Sequence, residues 1–311
     1  MHGYVGLAEP GDMTRMVRGC AKREVYKPAD PVTILSNGGV LVEYGPMRIV
    51  ITALDNGKPL VDLAREGGCL ATRVLDDLAR CLPVLKRKAQ TIEIEEAFPG
   101  VVQRMIEATK KMKEPDLTPL AAVAGAASDE VADFLIQRGG TKVIVDNGGD
   151  IAIRLREGEV VRVGVKTNIF AQNPSHVLTI DSGMGIGGVA TSGLGGRSFT
   201  KGIATAATVV AARASLADAA ATVIGNWTNV EDPAIERSLA ETIYPETDIA
   251  GEWVTTKVGN LSRERSEEAL SKGLTRAREL SQQGHIKGAL VAVQGGVGWT
   301  DSMNLWINKV F

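Results

Sequence analysis

Four short stretches of the chain carry side chains and backbone shapes that could do chemistry. The first is Ser215-Leu-Ala-Asp218-Ala-Ala-Ala-Thr222. Asp218 and Thr222 are four residues apart, which puts them on one helical face about one turn from each other. A carboxylate and a hydroxyl presented this way are hard oxygen donors suited to Mg2+, with water and phosphate completing the octahedron. Ser215 stands before an Ala-rich helix as an N-cap, and Asp218 in the opening turn suits the helix dipole. An ordinary helix start would look the same.

The second stretch is Ala121-Ala-Val-Ala-Gly125-Ala-Ala-Ser128-Asp129. Its small residues admit close approach of another backbone or a ligand. If it opens with an irregular turn, its carbonyls and amides can meet a cation or a phosphate; otherwise it is a tightly packed helix. The third, Asp146-Asn147-Gly148-Gly149-Asp150, is either a plain turn between apolar strands or a permissive backbone with two aspartates that hold a sugar or metal-bound phosphate. The fourth runs from Asp181 to Ser198 and contains Gly183-Met-Gly-Ile-Gly-Gly188 and Thr191-Ser192-Gly193-Leu-Gly-Gly-Arg197-Ser198. It lacks the lysine of a P-loop and the strand-to-helix setting of a dinucleotide fingerprint. It is either a surface loop or a source of backbone amides for a diphosphate.

Other catalytic patterns are missing. His2, His176 and His285 have no metal-ligand spacing, and no G-x-S-x-G elbow occurs. His176 is either a loop base or a solvated histidine. Cys20, Cys69 and Cys81 are odd in number and form no CxxC pair, which argues against zinc and disulfides and for reduced cytosolic thiols. Cys69 and Cys81 fall in one amphipathic stretch and read as inert packing.

These residues must be positioned by a chain of 311 residues, 44% hydrophobic and 23% charged, ordinary values for a soluble globular protein. Aromatics at 4% and a net charge of −2 argue against nucleic acid or anionic membranes as partners. No signal-peptide pattern opens the chain, and no apolar run approaches the ~20 residues of a membrane span, so a cytoplasmic location is expected.

Residues 1–30 read as an arm. A meander of strands at 32–35, 40–44 and 48–53 turns at Asn37-Gly38 and Gly45-Pro46. Helical spacing predicts an amphipathic segment over 60–88, interrupted at Gly67-Gly68 and kinked or ended by Pro83, then helices over 101–113 and 119–137. Strands follow at 141–146 and 150–155, the latter in a hairpin with 160–166, and further strands at 177–180, 188–191 and 206–211. Helices are expected at 215–227, 233–243 and 261–282, and a last strand at 286–293. One compact α+β unit over 1–311 is the simplest account.

The order of these blocks resembles the ApbE family. It is carried by Leu117-Thr-Pro-Leu-Ala-Ala-Val-Ala-Gly125-Ala-Ala-Ser-Asp129, then Val143-Ile-Val-Asp-Asn-Gly148-Gly149-Asp150-Ile, then Val163-Gly-Val, then Val189-Ala-Thr191-Ser192-Gly193, then Thr208-Val-Val-Ala and Ala217-Asp218-Ala-Ala-Ala-Thr222. The family comprises Mg2+-dependent FAD:protein FMN transferases and FAD hydrolases related to them. The resemblance implies an ApbE-like, T-fold-like arrangement of mixed sheets packed with helices. It also implies Mg2+ held by Asp218, Thr222 and a backbone carbonyl at Ala124. Gly148, Gly149 and Asp150 would line a cleft for FAD or FMN, with Thr191, Ser192 and Gly193 by the diphosphate.

Two blocks depart from the family. Val123-Ala124-Gly125 stands where Ala-Lys-Gly is expected, and Phe199-Thr-Lys201-Gly-Ile-Ala-Thr205 stands where the family's His-Ile-Ile-Asp-Pro would fall. The N-terminal Met-Gly-Thr segment is also not evident. The departures resemble an ApbE-like branch of archaea and bacteria that is associated with sulfur assimilation. They leave three roles open: a Mg2+-dependent enzyme on a phosphorylated small molecule, a ligand-binding accessory that docks on a partner protein, or a scaffold. Lys201 or Arg197 is a candidate to replace the missing cation, and a homo-oligomer is compatible with this kind of fold.

Overall fold

The Asn-Gly turn does what its residue types demand. Gly38 takes φ +82°, a region open to glycine, and Asn37 Oδ1 accepts the Gly39 amide at 3.0 Å. This joins β1 (Val32–Ile34) to β2 (Val40–Tyr44), and β2 turns at Gly45 into β3 (Met47–Asp55). In this computed structural model residues 30–168 and 171–310 are described, so His2, Cys20 and all of the expected arm except Asp30 lie outside the described residues.

Alternation builds the sheet. Met47, Ile49, Ile51 and Ala53 of β3 are buried while the residues between them are not, as the two-residue period of a strand requires. β3 is flanked by β2 and by β5 (Lys142–Asp146), and β4 (Lys58–Pro59) attaches to its end. The sheet continues through β6 (Ile151–Leu155), β9 (Gly188–Ser192), β10 (Ala206–Ala211), β13 (Gly288–Val293) and β14 (Gly296–Trp299). Its order is β1-β2-β3-β5-β6-β9-β10-β13-β14, and each neighbouring pair is antiparallel.

One face of this sheet carries the helices. Helices α1 (Val61–Leu85) and α3 (Val123–Gln137) pack on β2, β3 and β5, and α2 (Gly100–Lys111), α4 (Ala214–Trp227) and α6 (Arg263–Gln282) share a core with β9, β10 and β13. The opposite face, through Ile153, Val189, Val210 and Leu290, meets a small sheet. That sheet is β7 (Val160–Val165), β8 (His176–Asp181) and β15 (Ile307–Lys309), in the order β15-β8-β7. The α+β fold of mixed sheets and helices expected from the sequence is therefore present.

Several boundaries differ for physical reasons. α1 runs unbroken through Gly67-Gly68, because these glycines make room for neighbours. A Cβ at Gly67 would lie 3.0 Å from Leu135, and one at Gly68 3.1 Å from Val32 and Val42. Pro83 sits in the last turn of α1 rather than ending it. The expected hairpin between β6 and β7 does not form. β6 has both edges taken, by β5 and β9, so β7 pairs with β8 and buries Val161, Val163 and Val165 in the small sheet.

Residues 233–243 are not one helix. Ile235–Leu239 forms β11 against β12 (Trp253–Val258), and only Ala240–Ile243 is helical, as α5. Cross-strand packing overrides the local pattern there. Strands β12, β14 and β15 had no clear signal: β14 is Gly296-Val-Gly-Trp299, and β15 has three residues.

Candidate functional site around Asp218

Helix α4 starts at Ala214, and its cap comes from another helix. Asp129 of α3, fully buried, accepts the amides of Ala214 at 3.1 Å and Ser215 at 2.9 Å, and the Ser215 hydroxyl at 2.8 Å. A carboxylate there satisfies orphan donors and meets the positive end of the helix dipole. Ser215 is thus not the N-cap but a first-turn residue, and Asp218 falls in the second turn. The charge of Asp129 is matched by Arg154 of β6, whose Nη2 donates to Asp129 at 2.8 Å and whose Nε donates to Asp133 at 2.7 Å.

This cap sets how closely the two helices approach. A Cβ on Gly125 would stand 2.3 Å from the Ala214 carbonyl oxygen, so only glycine fits there. The contact brings the Gly125 amide to Asp218 Oδ2 at 2.9 Å. Burial pushes the Asp218 carboxyl up to about 7, against hydrogen bonds from the Gly125 and Ala124 amides that favour the charged form. Asp129 adds to the upward push. Ala124 therefore meets Asp218 through its N–H, while its carbonyl faces Asn147 Nδ2 at 3.5 Å. Thr222 is partly buried one turn after Asp218.

The sheet opens beside this pair. β6 and β9 share only two residue pairs, Ile151 with Val189 and Ala152 with Gly188. Before Ile151 the chain leaves the sheet in the turn from Asp146 to Asp150. Gly148 (φ +73°) and Gly149 (φ +106°) supply the left-handed conformations it needs. The Gly149 amide donates to Asp146 Oδ1 at 2.8 Å, and Ser128 Oγ donates to the Asp150 carbonyl at 2.9 Å. The Asp150 carboxyl is raised well above the usual carboxylate range, first by burial and then by the charges of Asp218 and Asp146. The Thr191 amide and the Arg197 guanidinium oppose that rise. Arg197 reaches over the turn: its Nη1 is 3.1 Å from where a Gly148 Cβ would be, and its Nη2 donates to the Pro46 carbonyl.

Asp218, Ala124, Asp150, the Asp146–Asp150 turn with Gly148 and Gly149, and the Thr191 amide thus lie in one neighbourhood, and Thr222 follows Asp218 by one turn of α4. Thr191 contributes its backbone, since its hydroxyl is bonded to Thr208 Oγ1 at 2.8 Å. Ser192 and Gly193 continue β9 past the opening. Ser192 Oγ is 3.8 Å from a would-be Gly225 Cβ on α4, and Gly193 is wedged against the carbonyls of Ala204 and Thr205. The glycine-rich 181–198 stretch is not one loop. Its first half lies at the other end of β9, where Gly185 stands by the Lys287 ammonium, and only the Thr191–Arg197 half adjoins Asp150.

Three other expectations are corrected. Lys201 is not near Asp150: its ammonium is held by Asp116 and by Glu252, the latter at 2.6 Å. His176 is neither in a loop nor solvated. It is a buried residue of β8 with Nδ1 2.9 Å from Ser175 Oγ and its ring edge-on to Trp299. Cys69 is exposed and Cys81 only partly buried. Sequence reasoning missed the Arg154–Asp129–Asp133 network, although an arginine within the apolar strand Ile-Ala-Ile-Arg-Leu was a usable signal.

A divalent ion can be tested against the donors present. Among the described residues no group of three or more His, Cys, Asp and Glu side chains is placed to hold a metal. The Asp218 carboxylate, which accepts the Gly125 and Ala124 amides, and the Thr222 hydroxyl one turn on are oxygen donors of the kind that suits Mg2+ keeping several waters. The neighbouring Asp150 adds negative charge that a cation would offset. The donor chemistry fits the ion.

The fold and site define an α+β protein whose helix pair and split sheet bring carboxylates, amides and an arginine together. The family model described as AbpE bacteria matches residues 32–300, and the chain belongs to that family, within the ApbE-like superfamily. It is similar to a UPF0280 protein of Methanopyrus kandleri, 35% identical over 204 residues, covering 62% of this chain and 79% of that one. A UPF0280 protein of Methanosarcina barkeri is 34% identical over 191 residues, covering 61% of this chain and 73% of the other. Among solved structures, the apo flavinyl transferase ApbE of Pseudomonas stutzeri aligns over 90% of this chain and 98% of its own, with a TM-score of 0.49 and 13% identity. The ApbE protein of Thermotoga maritima aligns over 88% and 97%, with a TM-score of 0.44 and 14% identity. Among the described residues no helix is long and apolar enough to cross a membrane.

Proposed function

We propose that the opening between α3, α4 and the Asp146–Asp150 turn binds the Mg2+ complex of a diphosphate ligand, FAD in the first instance, and acts on its diphosphate. Asp218 and Thr222 would hold the ion, with the Ala124 carbonyl as a third donor. The bound ion would supply charge neutralisation and polarisation of a phosphoryl oxygen. Arg197 would contact the phosphates from above Gly148, and the Gly148-Gly149 backbone leaves room for them. Thr191, Ser192 and Gly193 would border the diphosphate.

The observation that carries this reading is the closeness of Asp150 to Asp218. The charge of Asp218 raises the proton affinity of Asp150, and a neighbouring charge of that kind is one a divalent ion relieves. The test is incubation of the purified chain with FAD and Mg2+, followed by separation of nucleotides. Formation of FMN and AMP by wild type and not by Asp218→Ala supports the reading. FAD left intact by both removes the hydrolytic version.

A second reading is a ligand-binding accessory without turnover. It is favoured by Ala124 in the place of the family's lysine and by the engagement of Lys201 with Asp116 and Glu252. Both leave the lysine's place without an ammonium. Stable Mg2+-dependent FAD binding with no product would select it. A protein partner, a homo-oligomer, a cytoplasmic location and a place in sulfur assimilation belong to the same proposal, resting on sequence composition and resemblance.

A further inference from the structure

The turn from Asp146 to Asp150 holds one side chain to which the resemblance to the ApbE family gives no role, Asn147. It is polar, yet only 8% exposed. Its backbone amide donates to the Asp150 carbonyl at 3.2 Å, which fixes the residue within its own turn. Its carboxamide has one contact among the described residues: Nδ2 stands 3.5 Å from the Ala124 carbonyl oxygen on α3. That distance is the long limit of a hydrogen bond. Oδ1 accepts nothing from the described residues. It is not sealed in either, since the fully enclosed side-chain atoms without a partner, among the described residues, are the Nε atoms of Arg104, Arg237 and Arg276.

A buried carboxamide left this short of partners is costly, so its place calls for a reason. The carbonyl that Nδ2 faces is the third donor proposed above for Mg2+. A carbonyl oxygen has two lone pairs, so it can accept the Asn147 N–H on one side and face a cation on the other. Mg2+ demands near-octahedral geometry and keeps several waters. A group that directs the carbonyl with its N–H and accepts a water hydrogen with its oxygen serves both demands. Asp146, Asp150 and Asp218 already crowd their charges together here. A neutral amide makes these contacts without adding a further negative charge.

We propose that Asn147 is a positioning residue for the cation site, an inference that rests on the Mg2+ reading above. Nδ2 directs the Ala124 carbonyl, and Oδ1 accepts a hydrogen bond from a water that the ion keeps. Calorimetric titrations of Mg2+ and of Ca2+ into wild type, Asn147→Leu and Asn147→Asp test it, with melting temperature in EDTA as the folding control. Asn147→Leu should weaken Mg2+ binding about ten- to a hundredfold, the usual effect of losing a group that orients a metal ligand. Ca2+ tolerates a looser set of oxygens, so the ratio of Mg2+ to Ca2+ affinity should fall about fivefold or more. The melting temperature in EDTA should stay that of wild type. Asn147→Asp keeps the size and the acceptor but not the N–H, and should lower the same ratio even if the leucine variant folds poorly. Wild type that binds Mg2+, with Asn147→Leu binding it within about twofold, overturns this role and leaves the Mg2+ site standing. An equal loss of both ions in the two variants also overturns it, since a merely structural residue would act that way. No Mg2+ binding by wild type overturns the site and this role together.

Discussion

Asp218 Oδ2 accepts the Gly125 amide at 2.9 Å, so a carboxylate on α4 holds the opening turn of α3. The bond exists because Gly125 has no side chain. A methyl group there would lie 2.3 Å from the Ala214 carbonyl and force the helices apart. Gly125→Ala should therefore destabilise the chain by about 1–3 kcal/mol, the usual cost of overpacking. It should also lower Mg2+ affinity, because Asp218 loses the amide that orients it. Urea unfolding and Mg2+ titration of the same variant check both.

The pH dependence of Mg2+ binding follows from the raised acids. Asp218 binds its proton more tightly folded, at about 7, than at its ordinary value of 3.8. The stability this group contributes is complete below about 3.8 and is lost as pH rises through about 7. A cation replaces that proton. Addition of Mg2+ should raise the melting temperature more at pH 8.5 than at pH 6, and Asp218→Asn should remove the difference. Thermal melts with Mg2+ and with EDTA at the two pH values measure it.

Arg197 is exposed and anchored through Pro46, so its removal should leave folding intact. Arg197→Ala should weaken Mg2+–FAD binding about five- to twentyfold, with melting temperature unchanged. Arg197→Lys should recover part of the affinity, since lysine keeps the charge but not the fork of donors. Calorimetry of the three proteins decides it.

Asp129 is fully buried and bonded to Arg154, Ser215 and the first turn of α4. Asp129→Ala leaves the Arg154 charge and two helix amides short of a partner. Breaking a buried pair in this way costs about 3–5 kcal/mol. The chemical denaturation midpoint should fall sharply, and much less for Asp129→Asn, which keeps an acceptor for the helix amides.

His176 supplies a second, independent pH signature. Burial, with the charge of Lys309 behind it, holds the imidazole below its ordinary 6.5. The folded chain thus favours the neutral ring, and this contribution is present above pH 6.5 and lost as pH falls below it. His176→Leu should flatten the fall in melting temperature between pH 7 and pH 5.

Much of the architecture was legible because local period and packing agree. The Asn37-Gly38 hairpin, α3 ending at Gln137 before Gly139, and β10 at Ala206–Ala211 stand where turn chemistry and apolar runs put them. The parts that were not legible depend on partners far along the chain. Ile235–Leu239 becomes a strand because β12 pairs with it, and β7 joins β8 because β6 has no free edge. At the site, the residue types at 218, 222 and 148–150 were readable, whereas the cap on α4 was not. Asp129 reaches Ser215 across 86 positions, and no spacing rule links them. Lys201 and Arg197 looked alike as cations near one loop, but only contacts separate the one held by Asp116 from the one over Gly148.

Calorimetric titration of FAD into the wild-type chain at pH 8, with Mg2+ and then with EDTA, tests the carboxylate opening most directly. The account predicts stoichiometric binding that needs Mg2+ and that Asp218→Asn weakens by at least tenfold while its fold is retained. FAD binding that is indifferent to both Mg2+ and Asp218, or no binding at all, would contradict it.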